Sequence, residues 1–261
     1  VYKRQKVFPY FNSLQMFAHH EQIPYENMHA VSVTGRPWHE LDRALLECRP
    51  LIGVLTDHVH TPRAIAKRMM EYHLDKDYTM RVAEHLGNPK KEKIYNIYSI
   101  EEISEMSFSC PNCVLLMKAP NSTQQRPTLG IPDTKFVLLN DRAKMITKAP
   151  IRVIDLSLLE LHNSRTFWDI GACTGSVSIE ARRQYPHLNI QAFEVREECK
   201  DIIRANARLH SAPGIDFHIG NFLNLPIAED AIVDAVFIGG HGGKLKAVSY
   251  THLRAHETGA Y

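Results

Sequence analysis

The run Asp169-Ile170-Gly171-Ala172-Cys173-Thr174-Gly175 constrains this chain more than any other stretch. It follows the apolar Thr166-Phe167-Trp168 and precedes a helix-like run from Ser176 to Tyr185. Strand, glycine turn and helix together turn backbone N–H groups and a helix N-terminus toward a ligand. Gly171 and Gly175 permit turn conformations and a close approach to the backbone. The pattern stays regular afterwards. Strands are predicted over 166–170, 189–193, 215–219 and 234–238, with helices over 176–185 and 197–209. This is the start of a doubly wound α/β fold, and the pattern stops near Val248.

The preceding residues alternate less regularly. Leu14, Phe17 and Ala18 have helical spacing within 8–20, with Asn12 and Ser13 as caps. Strands are expected at 30–33, 51–55, 78–83, 94–97 and 113–117, the second as a buried parallel strand. Helices fit 40–48 and 61–72, the latter with Pro62 in its first turn, and Ser99 caps a shorter helix. Strand–helix alternation argues α/β here too. The polar, proline-marked stretch 118–134 reads as a domain boundary. A short strand is expected at 136–139. Ile151, Ile154, Leu158 and Leu161 mark a helix over 148–161 packed on the strands and helices C-terminal to it.

Composition narrows the function. Among 261 residues, 44% are hydrophobic and 23% charged, which is ordinary for a globular chain. No apolar run reaches the roughly 18 to 20 residues of a membrane span. Five irregularly spaced cysteines suggest no disulfide framework, so a cytoplasmic, reducing setting is the default. A formal charge of +2 does not argue for nucleic acid. Residues 1–5 and 249–261 do not continue the patterns beside them and resemble translated adapter sequence. They are expected to be non-native tails and are excluded from fold reasoning.

The loop spaces its glycines G-x-x-x-G, with Cys173 and Ser178 where a dinucleotide fingerprint needs glycine, which weighs against NAD. An acidic residue such as Asp169 before the first glycine is instead the habit of S-adenosylmethionine sites. Glu194 ends the second strand about 20 residues on, where a carboxylate can accept both ribose hydroxyls. Asn221 and Phe222 follow the third strand and suit one edge and one face of a base. Ala172, Cys173 and Thr174 complete the candidate cofactor loop. Gly239, Gly240, His241 and Gly242 follow the fourth strand, on the substrate side of such folds. His241 is a weak candidate acid or base, balanced by its reading as a solvated loop histidine. No N-P-P-Y motif follows this strand, which disfavours nucleic-acid amino groups. Cys110-Pro111-Asn112-Cys113 lacks the second pair that zinc needs and reads as free thiols, so no metal is expected. No adjacent base marks Cys173 as a nucleophile.

Met145-Ile146-Thr147-Lys148, Trp168 to Val177 and Phe237-Ile238-Gly239-Gly240-His241-Gly242-Gly243 resemble the C-terminal half of the decarboxylating precorrin-6Y (5,15)-methyltransferases. Val31-Ser32-Val33-Thr34-Gly35-Arg36-Pro37, Leu55-Thr56-Asp57, Glu84-His85-Leu86-Gly87 and Leu129-Gly130-Ile131-Pro132-Asp133 are similar to the tetrapyrrole-methylase half of the same bifunctional family. The resemblance covers nearly all of 8–247. It implies part of a tetrapyrrole-methylase domain at 6–118, a linker at 119–134, and an incomplete Rossmann-like class I methyltransferase domain at 135–248. It also implies that the first domain lacks its N-terminal half and the second stops after about four strands, leaving activity of the fragment open.

That family methylates carbons 5 and 15 of a precorrin and removes carbon dioxide from an acetate side chain, on the way to cobalamin. By motif position the resemblance assigns cofactor contacts to Thr147, Gly171 to Gly175, Glu194 and Phe222, and departs from the family at Cys173, where glycine is usual. A substrate bearing several carboxylates calls for a basic rim, for which Lys148, Arg152 and Lys244 are candidates. A homo-oligomer is implied for the complete enzyme, with neither nucleic acid nor membrane as partner. The alternatives are an RNA or protein methyltransferase of the same fold, or an inactive fragment.

Overall fold

A computed structural model describes residues 11–96, 98–120, 122, 129–225 and 233–240. The chain divides into two compact units between residues 124 and 125. In the first, β1 (His29–Ser32), β2 (Leu51–Leu55), β3 (Tyr78–Glu84), β4 (Lys93–Tyr95) and β5 (Asn112–Lys118) form one sheet in the order β1-β2-β5-β3-β4. β1 and β2 are parallel, β5 runs antiparallel to both β2 and β3, and β4 is antiparallel to β3. The sheet is therefore mixed, and β2 is parallel to only one neighbour. A central strand is buried on both faces whichever way it runs, so an apolar run does not reveal direction.

Helices cover both faces. Successive side chains of a strand point oppositely. Cys113 and Leu115 of β5 accordingly cluster with Leu14 and Phe17 of α1 (Ser13–His20). Val114 and Leu116 join Leu41 and Leu45 of α2 (His39–Leu46), Ile65 and Met69 of α3 (Pro62–Glu71), and Ile103 of α4 (Ile100–Glu105). The starts of α1, α3 and α4 follow their caps. Asn12 and Gln15 form a capping box on α1, as do Ser99 and Glu102 on α4, and the Thr61 side chain accepts from the Ala64 N–H. Phe8 to Tyr10, expected to open the first helix, and Ile97 lie outside the described residues.

The second unit opens irregularly. Residues 136–139 are not a strand: the Val137 N–H and C=O bond the Asn206 side chain at 2.7 and 3.0 Å. The helix α5 (Ala149–Leu158) forms, but its facing differs from expectation. Ile151, Ile154 and Leu158 are 52%, 54% and 75% exposed, while Arg152, Leu156 and the following Leu161 are buried. Arg152 Nε donates to Glu180 Oε2 at 2.6 Å, and its Nη atoms reach Asp133 and the carbonyls of Thr147 and Ile131. A guanidinium so paired can be buried, and the helix turns that side inward.

β6 (Thr166–Ile170), β7 (Asn189–Glu194), β8 (Ile215–Ile219) and β9 (Ala235–Ile238) then form an all-parallel sheet in the order β8-β7-β6-β9. α6 (Ser176–Gln184) connects β6 to β7, and α7 (Cys199–Leu209) connects β7 to β8. The strand order reverses at β6, between β7 and β9. That reversal opens a crevice at the carboxyl ends of the strands, the usual ligand position in this architecture. The fold is thus α/β with a Rossmann-like second unit. No described helix is long and apolar enough to cross a membrane.

Candidate functional site

Residues 169–175 join the carboxyl end of β6 to α6, at the strand-order reversal. Their backbone is fixed from both sides. The Gly171 and Ala172 N–H groups donate to the Phe193 carbonyl at 2.8 and 3.0 Å, and the Gly175 N–H closes a turn onto the Ala172 carbonyl at 2.8 Å. The Gly239 and Gly240 N–H groups donate to the Ile170 carbonyl at 2.9 and 3.3 Å. Gly171 has φ +83°, and a Cβ there would lie 2.5 Å from the Gly240 nitrogen. Glycine is needed at 171 because the β9 end is packed on it.

Two carboxylates converge on the loop. Asp169 on β6 is buried, and its Oδ2 accepts from the Ser178 N–H at 3.2 Å and from Ser178 Oγ at 2.6 Å. Asp169 Oδ1 and Thr174 Oγ1 are buried with no hydrogen-bond partner among the described residues. Burial pushes the Asp169 carboxyl up to about 6, against the Ser178 hydrogen bonds and with a smaller upward push from Glu194. Glu194 ends β7, and its Oε2 accepts from the Cys173 N–H at 2.8 Å. Arg196 covers it, with Nε 2.8 Å from Oε1 and Nη2 2.9 Å from Oε2. Burial opposes the Glu194 charge, but the bonds from Arg196 and Cys173 hold its carboxyl below its ordinary value.

This arrangement refines the expectations. The N–H groups of Gly171, Ala172, Cys173 and Gly175 are bonded within the unit rather than turned outward. The ligand-facing polarity comes instead from Asp169, Thr174 and Glu194. Phe222 is buried against Trp168 and Phe193, edge-on at 5.9 and 4.9 Å. Asn221 is exposed and its side chain accepts from the Leu223 N–H at 3.2 Å. Thr147 is half-buried, with its carbonyl held by Arg152. Lys148 is exposed, its Nζ 2.6 Å from the Ala143 carbonyl and 3.4 Å from Asp133 Oδ2. Arg152, expected on a basic rim, is fully buried and belongs to the support of Thr147 and α6. Gly239 and Gly240 border the loop, whereas His241, Gly242 and Lys244 lie outside the described residues.

Sequence reasoning does not single out Ser178, Arg196, Cys199 and Asn206 as site residues. Asn206 donates to the Thr174 carbonyl at 2.9 Å and so fixes the loop from α7. Arg196 has one signal, a cation two residues after the strand-end acid. Cys199 and Asn206 have none, because their partners lie far away in the chain. Cys113 is buried and Cys110 exposed, and burial pushes the Cys113 thiol up to about 12.

A sequence profile described as a precorrin methyltransferase domain matches residues 139–260. The probable cobalt-precorrin-6B C(15)-methyltransferase (decarboxylating) of Pyrobaculum calidifontis is 30% identical over 135 residues, covering 51% of this chain and 67% of its own. The chain belongs to the precorrin methyltransferase family. The family resemblance read from the motifs is borne out. The cobalt-precorrin-6B C(15)-methyltransferase (decarboxylating) of Salmonella typhimurium is 39% identical over 103 residues, 40% of this chain and 52% of that protein. The precorrin-6Y C(5,15)-methyltransferase [decarboxylating] of a Sinorhizobium species is 27% identical over 232 residues, 88% of this chain and 54% of that protein. The chain spans about half the length of these last two relatives.

Proposed function

We propose that this chain binds S-adenosylmethionine at the β6–α6 loop and takes part in C-methylation of a precorrin at carbons 5 and 15, with decarboxylation of an acetate side chain, in cobalamin biosynthesis. The observation that carries the cofactor reading is the convergence of Asp169 and Glu194 on one glycine loop at the strand-order reversal. The residues fit the group. Asp169 Oδ1 and Thr174 Oγ1 are buried oxygens without a partner among the described residues, and the donor carries an ammonium and a sulfonium. Glu194 accepts ribose hydroxyls once Arg196, whose side chain is 32% exposed, turns away from it. Thr147 and Phe222 complete the assignment by motif position. The Sinorhizobium relative aligns through both units, which supports reading the first as part of a tetrapyrrole-methylase domain.

The cofactor supplies an electrophilic methyl group when bound. The chain's residues need to hold, orient and dehydrate rather than act as a strong nucleophile. Asp169 and Glu194 supply negative charge in a buried setting, where charge interactions are strong. Ser178 and Cys173 hold those carboxylates in place by hydrogen bonds at 2.6 and 2.8 Å. Gly239 and Gly240 leave the β9 end without side chains, which suits a large planar substrate. Lys148 is the described cation offered to its carboxylates, with its Asp133 contact to be given up.

Calorimetry with S-adenosylhomocysteine is the first test, followed by methyl transfer from labelled S-adenosylmethionine to a precorrin. Heat of binding with one equivalent, and label in the macrocycle with loss of carbon dioxide, are expected. Absence of heat would remove the cofactor reading for this chain. Binding without label transfer would remove the catalytic one.

A further inference from the structure

Cys173 of the loop, Glu194 at the end of β7 and Cys199 at the start of α7 place two sulfur atoms and a carboxylate oxygen within 4.8 Å of one another, all buried. The two cysteines are 26 positions apart, and strand pairing brings them together: β6 and β7 run parallel side by side, so the loop after one meets the chain after the other. We propose that Cys173, Cys199 and Glu194 form a binding site for a thiophilic divalent cation of the zinc class.

The donor set fits that chemistry. Zinc takes thiolate sulfur at about 2.3 Å and carboxylate oxygen at about 2.0–2.2 Å, so its tetrahedral donors lie roughly 3.5–3.8 Å apart. The present spacing needs only a small contraction. Three protein ligands leave a fourth position open. Two thiols and one carboxylate, on taking up one dication, release two protons and form a complex of net charge −1. Arg196 beside Glu194 Oε1 balances that charge after its Nη2 contact to Oε2 is given up. The positive φ of +50° at Cys173 gives an independent handle, since glycine accepts this backbone without strain. Cys110 and Cys113 form no comparable group with a third ligand among the described residues, so they serve as an internal control.

The consequence for the loop rests on the cofactor reading. A cation held by Glu194 and Cys173 occupies the carboxylate assigned to the ribose, so cation and methyl donor exclude each other. The site itself is tested without cofactor. Cobalt(II) is titrated into the fully reduced whole chain, and sulfur-to-cobalt charge-transfer absorption is followed. One equivalent is expected to saturate the band and zinc(II) to displace it. The band is expected to vanish in Cys173→Gly and Cys199→Ser and to persist in Cys110→Ser, with circular dichroism confirming that each variant is folded. Cys173→Gly keeps the test valid should Cys199→Ser not fold. No band in the parent chain, or a full band in folded Cys173→Gly, overturns the site. A separate calorimetric arm measures S-adenosylhomocysteine with and without one equivalent of zinc(II), expecting at least tenfold weaker affinity with the metal. Unchanged affinity overturns the exclusion. Absence of binding in metal-free chain that still shows the cobalt band overturns the cofactor reading and leaves the metal site standing.

Discussion

Asp169 has one carboxylate oxygen bonded by Ser178 and the other buried without a partner among the described residues. Its carboxyl is raised from 3.8 to about 6, so the folded chain holds this proton more tightly than the unfolded chain. Stability contributed by Asp169 therefore falls as pH rises between about 4 and 6. Asp169→Asn removes that dependence. Relative to the parent, the variant is expected to gain roughly 3 kcal/mol in unfolding free energy across this window, read by denaturant titration at several pH values. For ligand binding the sign reverses: S-adenosylhomocysteine affinity of the parent is expected to fall as pH drops below about 6, while Asp169→Asn binds weakly at every pH. A flat parent profile would separate Asp169 from the ligand. Gly171→Ala places a Cβ 2.5 Å from the Gly240 nitrogen at φ +83°. It is expected to cost at least about 2 kcal/mol and to shift the melting temperature down. At this scale the sequence displayed both residues plainly, since the strand–acid–glycine order is local. It did not display the partners: Ser178, Arg196 and Cys199 acquire meaning only from the folding of β6, β7 and α7 together.

The element that departs most from its pattern is α5. Its apolar positions 151, 154 and 158 have helical spacing and are exposed, while Arg152 and Leu156 are buried. Periodicity identifies a helix but not which side faces inward when a buried charge has partners elsewhere. Glu180 on α6 and Asp133 supply those partners. Arg152→Ala leaves Glu180 buried with its main cation gone, and a loss of about 3–5 kcal/mol is expected in chemical denaturation. Leu156→Ala is expected to cost about 2–5 kcal/mol, and Leu158→Ser to stay within about 0.5 kcal/mol. Equal losses at 156 and 158 would contradict the facing of α5. The starts of α1, α3 and α4 and most strands were legible because capping residues, proline and short apolar runs act locally. The strand expected at 136–139 does not form because Asn206 satisfies the Val137 backbone in place of a neighbouring strand.

For the whole molecule, the two sheets show how far pattern reaches. The second follows the β8-β7-β6-β9 order of a doubly wound fold, and the first is mixed, with β5 running against both neighbours. S-adenosylhomocysteine at about a hundredfold above its Kd is expected to stabilise the fold that holds it by roughly 2.7 kcal/mol. Hydrogen exchange is expected to slow at amides of 169–175 and at the end of β7, and unchanged exchange there would place the ligand elsewhere. The sequence by itself determined the family, the position of the loop and the order of the elements, because these rest on residues adjacent in the chain. Only the tertiary structure decided that the loop amides bond inward, that Arg152 is a buried support rather than a rim charge, and that Cys173 meets Cys199. The physical reason is the same in each case: a buried polar group is settled by the partner that satisfies it, and these partners are brought in by strand pairing and helix packing across long stretches of chain.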